Sequence, residues 1–122
     1  MKPITEFVNR IFESREKAHA YHFNADKFGS HVSFEEYYTK ILKLLDAFVE
    51  VHSGQYGQIG EYQVIVKDVK EPDPVKYFTE IANFIQKERS NYIDEKDTHL
   101  YNITDEMIAT TYRTIYKLKF LK

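Results

Sequence analysis

Four side chains in the first half of the chain have the types and spacing to hold a metal ion. His22 and His31 flank a short polar break, and Asp46 and Glu50 follow one helical turn apart. Imidazole nitrogen combined with carboxylate oxygen suits iron or another divalent transition metal, whereas calcium and magnesium favour all-oxygen shells. A spacing of four sets Asp46 and Glu50 on one helix face, where both can reach one ion. Glu35 is the next carboxylate in this stretch. The chain has no cysteine, so any metal must sit on His, Asp and Glu. The plainer reading of the same residues is a pair of helix-end histidines bonded to carbonyls or carboxylates, with Asp46 and Glu50 on a solvated flank.

Other chemistry is poorly served. Glu16 and His19 form a Glu-x-x-His, but di-iron bundles need two such motifs and the chain has one. There is no Gly-x-Ser-x-Gly, and Gly54, Gly57 and Gly60 follow a helix where a phosphate-binding loop would precede one.

Four helical segments must position the candidate ligands. Ile4, Phe7, Val8, Ile11 and Ala18 keep a 3.6 period and predict a first helix from Pro3 to Phe23, with Glu13, Arg15, Glu16 and Lys17 towards solvent. His22 continues the apolar stripe. Residues 24–30 predict a break. Phe34, Tyr37, Tyr38, Ile41, Leu44, Leu45, Phe48 and Val51 predict a second helix from Val32 to His52, with Ser33 and Glu36 as a capping box and Gly54 as the terminal cap. Tyr62 to Lys67 is β-branched and predicts an extended connection with one short strand. Asp73-Pro74 predicts the start of a third helix that runs to about Ser90. The fourth begins between Asp94 and Asp97, or alternatively near Asp105, and reaches Phe120 on a seam of Leu100, Ile103, Met107, Thr111, Ile115 and Leu118. The class is all-α, a four-helix bundle, and the long connection between helices two and three is what a ferritin-like topology requires.

A chain of 122 residues fits one domain with a real core. A net charge of −2 gives no pull towards nucleic acid, and no apolar run is long enough to span a bilayer, so neither is an expected partner. The absence of cysteine fits a reducing cytoplasm. Asn102, Asp105 and Glu106 fit the favoured acidic start of a helix, and the aromatics mostly lie on inward stripes. Tyr38 and Tyr56, at or beyond the edges of those stripes, are candidates for surface contacts.

The stretch from Ala18 to Glu50 resembles the ferroxidase region of the DNA-protecting starvation ferritins, the Dps family. The residues that carry the likeness are His22-Phe23-Asn24, His31, Glu35, and Asp46 with Glu50. Taking His19 as the first histidine restores the family's spacing but loses the His-Phe-Asn sequence, so His19 and His22 both stand as candidates. The resemblance implies a homo-oligomer in which histidines of one chain meet Asp46 and Glu50 of its neighbour and ferrous iron is oxidised. Nearly the whole chain is also similar to a set of short tailed-phage proteins that share Gly54-Gln55-Tyr56-Gly57 and the run from His99 to Glu106. That similarity implies a cytoplasmic location in a bacterial host or a place in the virion. It also implies the competing role, a bundle that binds a host or virion protein and does no chemistry.

Overall fold

The structure is a computed structural model and describes residues 1–60, 62 and 70–121. Pro3 holds an extended backbone just outside the first helix, α1 (Ile4–Asn24). Three residues later the chain turns back as α2 (Phe28–Tyr56). The predicted break is therefore shorter than expected, and Gly29 and Ser30 are helical. Ser33 does not cap; its Oγ donates to the Gly29 carbonyl at 2.7 Å, the local back-bond of a hydroxyl inside a helix. At the other end α2 continues past Gly54. It stops at Gly57, whose φ of +93° is the left-handed region and whose amide reaches the Ser53 carbonyl at 2.8 Å.

Of the predicted strand at 62–67 only Tyr62 is described, and the rest lies outside the described residues. The chain resumes with α3 (Pro74–Glu88), capped as expected: Asp73 Oδ1 accepts from the amides of Val75 at 3.0 Å and Lys76 at 3.4 Å, and Pro74 needs no amide partner. A 3₁₀ turn at Arg89–Asn91 replaces the predicted last turn of this helix. The last helix, α4 (Thr98–Phe120), starts after Asp97; Asp105 lies inside it and pairs with Arg89 at 2.5 Å.

The four helices form a ring in the order α1, α2, α4, α3, with a light contact between α1 and α3 closing it. The Tyr21 phenol donates to the Glu71 carbonyl, and Phe34 packs on Phe78, so α3 begins beside the end of α1 and the start of α2. The connection after α2 thus crosses the length of the bundle. α1 and α4 run one way, α2 and α3 the other, and every neighbouring pair is antiparallel.

The core follows the predicted stripes, except that Val51, at the end of the α2 stripe, is exposed. Phe7, Val8, Ile11, Ala18, Tyr37, Ile41, Phe48, Phe78, Ile81, Ile85, Leu100 and Met107 have no exposed surface. Burying each large side chain contributes roughly 1.5–3 kcal/mol. Phe7 is the hub at one end, with ring centroids 5.5 Å from Phe48, 5.8 Å from Phe84 and 5.5 Å from Tyr92. At mid-height the Tyr37 hydroxyl meets Ser14 Oγ at 2.8 Å, and burial pushes that phenol up to about 12. Glu13 departs from expectation. It is buried, because Arg10, lying over the rings of Tyr77 and Phe84, bonds it at 3.0 Å and carries it against the core.

Candidate functional site

His22 and His31 meet. His22 lies in the last turn of α1 and His31 in the first turn of α2, and the three-residue turn between the helices folds one ring onto the other. The centroids are 3.7 Å apart and the planes 24° from parallel. Each ring is held by the backbone of the other: His22 Nδ1 lies 2.9 Å from the His31 carbonyl, and His31 Nδ1 lies 3.0 Å from the His22 carbonyl. A carbonyl oxygen only accepts, so both Nδ1 atoms carry hydrogen. In each neutral ring Nε2 is then the basic nitrogen. Metal-ligating histidines are commonly oriented by such a bond from the second nitrogen.

Around the pair stands a wider imidazole and aromatic cluster. His19 stacks on Tyr38 at 4.4 Å and 12°, and its ring lies 5.8 Å from His22 and 4.6 Å from Phe23. Arg15 sits over the Tyr38 ring and also bonds Glu16, so the Glu-x-x-His pair is an ordinary ion-paired turn. Phe23 and Phe28, at the tip of the α1–α2 turn, are 75% and 82% exposed.

The carboxylates do not join the histidines within one chain. Asp46 lies about four turns further down α2 than His31, roughly 22 Å at 1.5 Å per residue, and Glu50 about 28 Å. A single straight helix cannot fold that distance away. Glu35 is one turn from His31 and exposed. Among the described residues no three His, Asp or Glu side chains gather closely enough to hold a metal. The stack also opposes chelation by its two rings alone. The Nε2 lone pairs lie in planes that are nearly parallel, so they cannot converge on one ion about 2 Å from both nitrogens.

The opposite end of the bundle carries a second polar cluster that the sequence reading left unassembled. Asp97, buried before α4, accepts from Gln55 Nε2 at 2.7 Å through Oδ1 and from the Tyr56 hydroxyl through Oδ2. Gln55 Oε1 in turn lies 2.7 Å from His99 Nε2. The two signatures, residues 54–57 and 99–106, thus meet directly at Gln55 and His99, and Asp97, which belongs to neither, holds Gln55 and Tyr56 in place. The only available signal was the position of Asp97 at a helix start, where capping already accounts for an aspartate. Yet the carboxylate makes no cap bond to α4; both oxygens serve α2. Hydrogen bonds from Tyr56 and then Gln55 hold the Asp97 carboxyl below its ordinary range, and the bond to Asp97 pushes the Tyr56 phenol up to about 12. His52, one turn before Tyr56, is half-buried with Nδ1 unbonded among the described residues, and burial lowers its affinity for a proton.

An all-α four-helix bundle with a full-length crossover, an imidazole pair at one end and a buried carboxylate lock at the other defines the class of protein. Within it, the chain belongs to the family of unknown function DUF5856, whose model matches residues 22–118 and so takes in the His22–His31 pair and the Asp97 cluster. No curated protein and no solved structure matches the chain. Among the described residues no helix is long and apolar enough to cross a membrane.

Proposed function

We propose that the protein is a ferritin-like bundle of the starvation-ferritin type, which assembles into a homo-oligomer and binds iron or a similar divalent metal between copies. Imidazoles at the α1–α2 junction of one copy supply nitrogen, and Asp46 and Glu50 of a neighbour supply oxygen. The observation that carries this reading is the pair of Nδ1 bonds, which leaves Nε2 of each ring as its metal-binding nitrogen, so that one ring of the stacked pair, His22 or His31, supplies nitrogen to a given ion. Three further features support it. The order of antiparallel helices with one crossover is the ferritin-like arrangement. Glu35, Asp46 and Glu50 make no ion pair or hydrogen bond among the described residues. Finally, Glu35, Leu42, Asp46 and Val49 share the flank of α2 that bears His31, so an antiparallel contact of two such flanks, centred near Tyr38 and Thr39, sets His31 opposite Asp46.

Imidazole and carboxylate donors without thiolate fit ferrous iron, which in such a shell with open positions is oxidised by oxygen or peroxide. His19 and His22 are alternative first ligands, and replacing each separately distinguishes them. The test is the mass in solution with and without ferrous iron, alongside the melting temperature. A multiple of the chain mass and a metal-dependent rise in Tm, both lost in Asp46→Ala with Glu50→Ala, are expected. A monomer whose Tm ignores iron and zinc overturns the reading.

That last outcome would leave the second reading, a docking module for a host or virion protein. One observation favours it: Phe23, Phe28, Phe120 and Leu121 are all exposed at the same end of the bundle, where aromatic side chains anchor protein partners.

A further inference from the structure

Outside both clusters, α2 and α4 enclose a groove of about 720 Å³ on the surface of the bundle. Its walls carry Lys40 and Lys43 from α2 and Arg113 and Lys117 from α4, against Glu35 and Glu36. We propose that this groove binds a small, multiply charged phosphoryl anion. The inference does not depend on the metal site.

Three observations converge on it. First, the cations are left uncompensated. Lys117 pairs with Glu36, but Lys40, Lys43 and Arg113 have no carboxylate partner among the described residues. The contrast with the other arginines is sharp: Arg10, Arg15 and Arg89 each hold a carboxylate, and Arg113 does not. Second, the cations repel one another. Lys40 and Lys43 are three residues apart, and Arg113 and Lys117 four, the spacings at which like charges on a helix face destabilise it. A fold that leaves three of these four cations without a carboxylate partner among the described residues, in a chain of net charge −2, places a positive field where an anion would relieve it. Third, Thr110 in the groove lining is buried and its Oγ1 has no hydrogen-bond partner among the described residues.

The chemistry narrows the ligand. A lone carboxylate would satisfy one cation, whereas three free ones call for several charges close together. The planar guanidinium of Arg113 matches the oxygens of a phosphoryl group, and lysines bind phosphate as point charges. The volume lies in the range of small-molecule sites. The four cations span only about one turn of each helix, too little for an extended polyanion on an otherwise acidic protein.

Inorganic tripolyphosphate titrated into the full chain at fixed ionic strength tests this by calorimetry and by Tm. Saturable binding with a rise in Tm is expected. Lys43→Gln combined with Arg113→Gln should weaken it at least tenfold, and Lys87→Gln on α3 should leave it unchanged. Without anion, the double variant should melt no lower than the parent, since it loses repulsion and no ion pair. The proposal is overturned by absence of saturation, by an equal effect of sulfate at matched ionic strength, or by equal weakening from Lys87→Gln.

Discussion

Tyr56 donates its phenolic hydrogen to Asp97 Oδ2, joining the last turn of α2 to the residue that precedes α4. The bond spans 41 positions of sequence, including the whole crossover. It therefore closes the bundle at the end where the chain leaves α2 for its long excursion. Tyr56→Phe removes one of two side-chain donors to a buried carboxylate, and an unsatisfied buried acceptor costs more than the bond itself contributed. The variant should melt below the parent and Asp97→Ala lower still, with helicity retained in both. Equal melting of all three chains in a thermal scan would show that the lock carries no stability.

The same end of the molecule sets a pH dependence. Burial holds the His52 imidazole below its ordinary value of 6.5, against a smaller opposing pull from Asp97. The unfolded chain therefore takes up this proton first as pH falls, and stability declines once pH drops through 6.5. Asp97 adds a second decline: its carboxyl is held below the ordinary 3.8, so its contribution is present above that value and is lost as pH falls through the lower folded one. Chemical denaturation from pH 8 to 3 should show both phases. His52→Phe should remove the upper one alone, and an unchanged upper phase in that variant would refute the assignment.

The helices were legible because their stripes are long and regular, and a 3.6 period over four or more turns admits one structure. The start of α2 was not. Gly29 and Ser30 resemble a break and Ser33 with Glu36 resembles a capping box, but the reciprocal bonds between His22 and His31 hold a tighter turn and let α2 begin at Phe28. Glu13 misled for a related reason: periodicity places it near the boundary of the apolar face, and only the position of Arg10 decides that it goes in. Of the candidate site, the histidine pair was legible as a pair. That Asp46 stands far from it in one chain follows once α2 is continuous, since spacing along a helix is distance. Asp97 was hidden because its partners lie on another helix, and long-range hydrogen bonds leave no periodic trace.

Phe7 offers a test of the packing that holds both ends in place. It is fully buried and its ring meets α2 at Phe48, α3 at Phe84, and the segment before α4 at Tyr92. Phe7→Ala should cost about 3–5 kcal/mol, the range for an aromatic removed from a core that cannot collapse around the void. Against a typical total of about 5–15 kcal/mol this is a large share, and Tm should fall by more than roughly 10 °C. A loss below about 1 kcal/mol in urea denaturation would mean that the ring stack is not the hub.

The histidine pair yields the prediction closest to function. Because both carbonyls can only accept, His22 and His31 must each carry hydrogen on Nδ1 in their neutral form. This is the minor tautomer of a free imidazole in water, so the fold imposes it. Nitrogen NMR of the rings at pH 8 should show a protonated Nδ1 and a bare Nε2 for both residues, with His19 serving as an internal comparison, since among the described residues its ring makes contacts with other rings and no hydrogen bond. Adding zinc to the assembled protein should then shift the Nε2 signals of the ligating rings and leave their Nδ1 signals nearly in place. Finding hydrogen on Nε2 of both His22 and His31 would remove the nitrogen donors from the proposed metal site. Finding the expected tautomers with no response to zinc would leave the turn between α1 and α2 as a structural clasp.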